Sequence, residues 1–300
     1  SSWTLTALPL FVWMGEILFR TKLSENLFEG LSPWMQKLPG GLIHVNVVGC
    51  AIFAAISGSS AATVATVGKM SIPELRKRNY PEKILLGSLA GSGTLGLLIP
   101  PSIILIIYGV TVQESIAKLF IAGIFPGIMI AIIFMTYVVI WSLMNKDKMP
   151  VLTEEIPFIE KIKKSGKLIP VILLIVSVIG SIYSGVATAT EAASLGVVGA
   201  LILSFFQKSL TIDSFKKSLL GATKTSCMIG FILAGSTFLS LAMGFTGLPR
   251  NLAIWIDTMQ LSPYILIVVL MIFYIILGMF LDGISAVVLT MAIIEPMIRQ

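Results

Sequence analysis

Three short polar stretches interrupt apolar runs in this 300-residue sequence. The first, ISGSSAAT at 56–63, places Gly58 among the serines Ser57, Ser59 and Ser60. Backbone that turns at membrane depth is tolerated only inside protein or beside water. Its carbonyl and hydroxyl oxygens suit a hard cation, and its helix N-termini suit an anion. We therefore predict a binding turn here, with close helix packing by small residues as the alternative.

The second stretch, GSGTLGLLIPPSIILIIYG at 91–109, contains two adjacent prolines. Pro100 and Pro101 lack amide donors, so they break the helix. The carbonyls at 93–99 are then predicted to lack helical partners and to serve as ligands for an ion beside the first turn. Ser102 supplies the first hydroxyl after the break, and a simple proline kink is the alternative.

The third stretch is GMFLDGIS, which places Asp282 in the middle of an apolar run. An ionisable residue at membrane depth is a functional hypothesis by default, and Asp282 is predicted to bind a cation or to orient the substrate side of the turn. Glu16 and Glu191 lie nearer the ends of apolar runs and are predicted to be interfacial or helix-capping carboxylates. His44 is predicted to be a structural hydrogen bonder.

The composition indicates that membrane-spanning segments position these residues. The chain is 56% hydrophobic and only 12% charged, with a mean hydropathy of +0.97, whereas soluble chains carry about 25% charged residues. This excludes a cytosolic enzyme, a nucleic-acid-binding module and a disordered tail. One histidine, two separated cysteines and the lack of any nucleophile–base, Walker or zinc motif predict a protein that is not an enzyme.

Lysine and arginine positions predict the topology. Cytoplasmic loops are enriched in these residues, which puts four polar loops on one side: 20–37, 74–83, 146–167 and 207–217. The run at 41–73 must then be a helical hairpin that returns to its own side, and 263–298 a second one entered from outside. The loop at 146–167 is predicted to be an amphipathic arm, with a solvated linker as the alternative. Apolar runs are predicted at about 4–19, 41–73, 84–112, 118–144, 168–187, 188–206, 221–246 and 263–298.

The order of features repeats along the chain. A span, a short amphipathic segment and a hairpin with a polar middle occur first over 1–73 and again over 221–298. Five predicted spans lie between the start of the first copy and the start of the second, the first copy's own span included, so the copies have opposite orientations. Inverted repeats with discontinuous helices are typical of secondary transporters.

Four segments, GGLIHVNVVGCAIFAAISGSSAAT, GTLGLLIPPSI, GVATATEAAS and GMFLDGIS, follow one another in an order that resembles the large membrane subunit of tripartite ATP-independent periplasmic (TRAP) transporters. The resemblance covers the whole chain, which is predicted to be a fragment of such a subunit. It implies an all-α, inverted-repeat, elevator-type transporter with two re-entrant hairpins and broken transmembrane helices, located in the bacterial inner membrane. It also implies coupling to Na⁺. The implied partners are a small four-helix membrane subunit and a periplasmic solute-binding protein that delivers a carboxylate, such as sialic acid or a C4-dicarboxylate.

The resemblance also implies roles for particular residues. Asp282 and Gly283 would start a second sodium site, whose broken helix is expected beyond residue 300, and Arg250 could meet the substrate or the binding protein. The segment TATEAAS lacks a proline usual in the family, which puts only a local kink in doubt. The first sodium site would comprise Ser57, Gly58, Ser59, Gly93, Thr94 and Pro100, and the substrate would contact Ser57, Ser102, Asp282 and Arg250.

Four regions are predicted on this basis. Residues 1–40 hold the first-repeat span and a cytoplasmic segment, 41–112 the first hairpin and broken helix, 113–220 the scaffold spans and arm, and 221–300 the second-repeat span and hairpin. Two other functions remain open at this point. One is a stand-alone Na⁺/dicarboxylate symporter of similar architecture, and the other is an ion channel lined by the hairpin tips.

Overall fold

The computed structural model describes residues 3–21, 23–150, 157–247, 251, 254–255, 258–259 and 262–298. The regular secondary structure of these residues is helical. The α-helices are α1 Ala7–Phe19, α2 Leu23–Met35, α3 Ile43–Ser57, α4 Ser60–Lys77, α5 Glu82–Gly93, α6 Ile103–Thr111, α7 Ile116–Met144, α8 Phe158–Ser165, α9 Ile169–Tyr183, α10 Ala189–Phe206, α11 Ile212–Thr246, α12 Pro263–Gly278 and α13 Gly283–Ile298.

Four helical stretches are long and apolar enough to cross a bilayer. They are α7, α10, α11 and the continuous stretch Phe158–Tyr183, which contains α8 and α9. Because about 20 apolar residues cross a hydrocarbon core of roughly 30 Å, these lengths and the overall composition define a helical membrane protein. The apolar helices α1, α3 and α12 are shorter than a full span.

The run at 41–73 folds as a helical hairpin, as predicted. Helix α3 ends where Gly58 adopts a left-handed conformation (φ 57°), and Ser59 then caps the N-terminus of α4. The start of α3 and the chain that follows α4 lie close together, as shown by the hydrogen bond from the Leu42 amide to the Tyr80 hydroxyl at 3.0 Å. The chain therefore leaves this hairpin at the end where it entered.

The predicted helix break at the two prolines is confirmed. Helix α5 continues as a 3₁₀ turn over Thr94–Leu97 and stops before Pro100 and Pro101, which are joined by a cis peptide bond. Ser102 then precedes α6. We call residues 98–102 the break.

Some of the carbonyls before the break are hydrogen-bonded and so are less available as ion ligands than the sequence predicts. The Leu95 carbonyl accepts hydrogen bonds from the amides of Leu98 and Ile99, at 3.0 and 2.9 Å. The Leu97 carbonyl accepts the Ser102 hydroxyl at 2.6 Å. The prediction of free carbonyls at 93–99 is therefore wrong for Leu95 and Leu97, because the tighter 3₁₀ turn bonds i to i+3 and the serine bonds back across the break.

The run at 263–298 also folds as two helices, α12 and α13, joined by residues 279–282. The Tyr274 hydroxyl on α12 lies 2.6 Å from the Thr290 hydroxyl on α13. This hydrogen bond holds the two arms together across the second hairpin.

The four basic loops meet at one end of the bundle, as the charge distribution predicted. Arg20 donates to the Lys217 carbonyl at 3.3 Å, and Lys167 pairs with Glu29. The Tyr80 hydroxyl accepts from the Leu42 amide, which places the loop at 74–83 at the same end as the loop at 20–37. We call this the basic end.

The predicted arm contains a short 3₁₀ turn, Lys146–Lys148, and helix α8. Helix α8 packs against α2, and the Trp34 indole donates to the Ser165 hydroxyl at 2.7 Å. Residues 151–156 of the arm lie outside the described residues. The last basic loop is shorter than predicted, because α11 begins at Ile212, where Thr211 and Ser214 form a reciprocal cap.

Most of the helices share one core of buried apolar side chains. Helix α1 packs against α10, α11 and α3, and α9 packs against α10. Helix α3 packs against α4, α5 and α7, while α13 reaches both α6 and α11. Helices α1 and α7 meet where the Phe11 and Phe120 rings pack edge to face, with centroids 6.2 Å apart.

Two sequence predictions about polar residues hold in this framework. Glu191 accepts from the amide and hydroxyl of Thr188, both at 2.8 Å, and so caps α10. His44 is buried, and its Nε2 lies 2.8 Å from the Pro39 carbonyl oxygen. Both residues therefore have structural roles.

Candidate functional site

The first hairpin tip, residues 57–59, carries a compact set of oxygen atoms. The Ser57 and Thr63 hydroxyls lie 2.9 Å apart, and both side chains are buried. The Thr63 hydroxyl also donates to the Ser59 carbonyl at 2.7 Å. Hydroxyl and carbonyl oxygens of this kind are ligands for hard cations.

The first tip lies directly against the break. The Gly58 carbonyl accepts the Ile103 amide at 3.4 Å. A methyl group at Gly58 would lie 2.8 Å from the Pro101 carbonyl oxygen, so glycine is required for this approach as well as for the left-handed turn. The local sequence thus brings the hairpin turn and the proline break into one place.

Two glycines before the break let it reach the tip. A methyl group at Gly96 would lie 2.8 Å from the Ser59 carbonyl carbon and oxygen and 2.9 Å from the Ser60 amide nitrogen. One at Gly93 would overlap the Val64 side chain. The 3₁₀ turn and α4 therefore pack backbone to backbone at the tip.

The second hairpin packs against the residues that flank the same break. A methyl group at Gly283 would lie 3.1 Å from Leu97 and 3.2 Å from Ile104. Asp282 is exposed, and its carboxylate accepts from the amides of Ile284 and Ser285 at 3.2 and 3.4 Å. Its observed role is therefore to cap α13.

A cavity of about 300 Å³ lies beside the first tip. Ser57 and Ser59 form one wall, and Gly15, Glu16 and Phe19 of α1 form the wall opposite. A methyl group at Gly15 would lie 3.1 Å from the Ser57 Cα atom, so α1 and the tip touch at the rim of the cavity. Thr225 of α11 also lines the cavity.

A second cavity of about 510 Å³ lies between α6, α11 and α13. Its polar lining consists of hydroxyls, from Thr111, Ser236, Thr237 and Ser240. The Ser236 hydroxyl donates to the Val288 carbonyl at 2.7 Å and so ties α11 to the second hairpin. Each hairpin therefore has on one flank a mainly apolar cavity whose lining includes hydroxyl groups.

The other predicted site residues are distributed as follows. Ser102 is fully buried, and its hydroxyl donates to the Leu97 carbonyl. Thr94 is exposed and donates to the Gly91 carbonyl at 2.7 Å. Pro100 is buried against α7, since a methyl group added at Gly123 would lie 3.7 Å from the proline ring. Arg250 lies outside the described residues.

Sequence reasoning missed three contributors. Thr63 belongs to the first polar stretch, but only the helical spacing of Ser59 and Thr63 (i and i+4) shows that its hydroxyl turns back to the tip. Gly96 lies in the second polar stretch, and nothing in its local sequence shows that it is a contact surface. Glu16 was placed at a span end, and the fold brings it to the cavity through the contact of its neighbour Gly15 with Ser57.

The oxygen atoms determine the chemistry of this region. Among the described residues, no group of three or more His, Cys, Asp or Glu could hold a metal ion. The hydroxyls and carbonyls at the first tip are ligands that suit Na⁺ better than a transition metal. Two hairpin tips that meet a broken helix are typical of membrane secondary transporters.

The comparisons identify the family. The sequence model of the tripartite ATP-independent periplasmic transporter DctM component matches residues 1–300. The chain therefore belongs to the DctM family of TRAP transporter large permeases.

Relatives differ in the substrates for which they are named. The chain is 33% identical to the C4-dicarboxylate TRAP transporter large permease protein DctM of Pseudomonas aeruginosa, over 97% of this chain and 67% of that protein. It is 30% identical to the isethionate permease DctMQ of Oleidesulfovibrio alaskensis, over 100% of this chain and 47% of that protein. It is also 30% identical to the ectoine/5-hydroxyectoine large permease UehC of Ruegeria pomeroyi, over 99% of this chain and 69% of that protein.

Proposed function

We propose that this chain forms the translocation pathway of a Na⁺-coupled importer of a small organic acid, and that residues 41–73 and 263–298 are re-entrant hairpins. The observation that carries the proposal is the convergence of both hairpin tips on the break. Gly58 contacts Pro101 and Ile103, and Gly283 contacts Leu97 and Ile104. Such convergence puts the N-terminal ends of α4 and α13 close to the break, where we propose that an ion and an anion bind side by side.

Sodium binding at the first tip is supported by its oxygen atoms. The Ser57 hydroxyl and the Ser59 carbonyl are held by Thr63, so they are oriented before any ion arrives. Gly93, Thr94 and Pro100 shape the facing turn, and Asp282 with Gly283 begins the corresponding second site. In this proposal Na⁺ contributes a positive charge that offsets the substrate carboxylate in a low-dielectric site.

The substrate class rests on the helix N-terminus at the first tip and on the relatives. The N-terminus of α4 lies at the first tip beside the break, and helix N-termini favour a negative group. The relatives named above are C4-dicarboxylate, isethionate and ectoine permeases, so we propose an organic acid, with C4-dicarboxylates and the larger sialic acid among the candidates. Ser57 lines the cavity in which it would bind.

The family name implies a three-part assembly, which we extend to this chain. We propose that a small four-helix subunit braces it in the bacterial inner membrane and that a periplasmic binding protein delivers the substrate, with Arg250 meeting the substrate or the binding protein. The DctMQ relative is twice as long as the matched region, 47% of it being covered. The exposed apolar face of α7 is available to lipid or to a partner helix.

The proposal includes an elevator motion. In it residues 41–112 and 221–300 move as the transport domain, while 113–220 acts as the scaffold. Helix α1 meets the first hairpin at Gly15, where the side chain is only a hydrogen atom.

Uptake into proteoliposomes containing the assembled complex tests the proposal. We expect substrate accumulation that requires an inward Na⁺ gradient and the binding protein, with C4-dicarboxylates, sialic acid and isethionate as candidate substrates. Potassium in place of sodium is the matched control. Uptake without the binding protein would instead support a stand-alone symporter, and unsaturable current would support a channel.

A further inference from the structure

Glu16 is the charged side chain of the tip cavity, and the function proposed above gives it no role. It lines the cavity together with Ser57 and Ser59. Its side chain is 25% exposed, so the carboxylate is reachable from the cavity without being a surface group. A negative charge at this position attracts a cation and repels an organic anion.

The position of Glu16 is fixed by two neighbours. Arg20 donates to Glu16 Oε2 at 2.9 Å and to the Lys217 carbonyl of α11 at 3.3 Å. On the other side a methyl at Gly221 would lie 2.5 Å from Oε2 and 3.0 Å from Oε1, so α11 supports the carboxylate closely. The carboxylate is thereby held between the cavity and the basic end.

The path from the tip to Glu16 is short. Gly15, the preceding residue, packs against the Ser57 Cα atom. Farther along the same wall lie Phe19 and then Arg20, whose guanidinium lies 5.8 Å from the Phe19 ring centroid. An ion that leaves the tip toward the basic end therefore passes the carboxylate before it reaches Arg20.

We infer that Glu16 is a relay site for the coupling cation on its way to the cytoplasm. A Na⁺ ion released by the first tip is bound by the Glu16 carboxylate, which exchanges its pairing with Arg20 for pairing with the ion. Arg20 then re-forms the pair and returns the ion to solution. This inference rests on the proposed function, since it takes the first tip as a sodium site.

The relay makes release, rather than loading, depend on Glu16. In Glu16→Gln the amide oxygen can still accept from Arg20, so the fold is retained while the charge is lost. We expect net Na⁺-driven uptake to fall about fivefold, which corresponds to about 1 kcal/mol. Substrate exchange with saturating Na⁺ on both sides does not require ion release, so we expect it to stay within about twofold of the wild type.

Glu191→Gln is the matched control. Glu191 is also a carboxylate near a span end, but it caps α10 and is exposed, and glutamine serves in the same capping position. Arg20→Gln provides a test of opposite sign, because an unpaired Glu16 holds the ion more tightly. We expect the half-saturating Na⁺ concentration, measured in efflux from the cytoplasmic face, to rise in Glu16→Gln and to fall in Arg20→Gln.

The outcomes separate this inference from the proposed function. Sodium-dependent uptake by the wild type, with Glu16→Gln behaving as Glu191→Gln does, rejects the relay alone. Wild-type uptake that ignores sodium rejects the coupling and the relay together. Loss of exchange in step with net uptake also rejects the relay, because it places Glu16 in substrate binding.

Discussion

Gly96 is the position at which one added methyl group separates the first tip from the break. A Cβ atom there would lie 2.8 Å from the carbonyl carbon and oxygen of Ser59 and 2.9 Å from the amide nitrogen of Ser60. These are backbone atoms of the tip, so no side-chain rotation relieves the overlap. In Gly96→Ala either the tip or the 3₁₀ turn must move.

The size of the effect follows from this overlap. Ordinary carbon contacts begin near 3.4 Å, and overpacking of this kind costs about 1–3 kcal/mol. If the tip moves away, the oxygen atoms of the proposed ion site are displaced and Na⁺ binding weakens. We therefore expect the half-saturating Na⁺ concentration for uptake to rise by roughly 5- to 150-fold.

Gly87→Ala on α5 is the matched control, since no atom lies within 4 Å of the added methyl group. It gains helix propensity of up to about 1 kcal/mol, so we expect equal or higher thermal stability and unchanged sodium dependence. The assays are sodium titration of uptake in proteoliposomes and thermal unfolding of the purified complex. If Gly96→Ala matches Gly87→Ala in both, the close packing of tip and break is wrong.

Three further results are expected. Combining Ser57→Ala with Asp282→Ala should abolish sodium-dependent uptake while membrane insertion stays normal; wild-type rates would defeat the site assignment. Thr63→Val removes the hydroxyl that orients the tip, so the half-saturating Na⁺ concentration should rise roughly two- to tenfold, with Thr63→Ser restoring it. In a background without other cysteines, Lys161→Cys should react with an impermeant maleimide only from the cytoplasm and Val186→Cys only from the periplasm, and the reverse pattern would invert the topology.

The hairpin at 41–73 was predictable from the sequence because charge and chain length restrict the alternatives. Four basic loops can share one side only if this run returns to it, and the contact between Leu42 and Tyr80 agrees. The break at Pro100 was predictable for an equally local reason, since proline removes the amide that a helix needs. The polar turn at residues 57–59 was recognisable because its composition contrasts with the apolar runs around it.

The packing at the site was not predictable from local composition. Free carbonyls before the break were expected, but Leu95 and Leu97 have partners because a 3₁₀ turn and the Ser102 hydroxyl satisfy them. Asp282 was chosen for its charge, whereas the structure shows its carboxylate capping α13. Such hydrogen bonds depend on turn geometry, which the hydrophobic pattern does not encode.

The sequence by itself determined a helical membrane protein, the side on which its basic loops lie, and the places where its helices stop. These properties follow from burial of apolar side chains, from charge and from the missing amides of proline, all of which act locally. Only the tertiary structure decided that both hairpin tips contact one break, that Gly96 packs on Ser59 and that Glu16 lines the tip cavity. Contacts between residues far apart in the chain depend on how whole helices pack, and no short stretch of sequence specifies that.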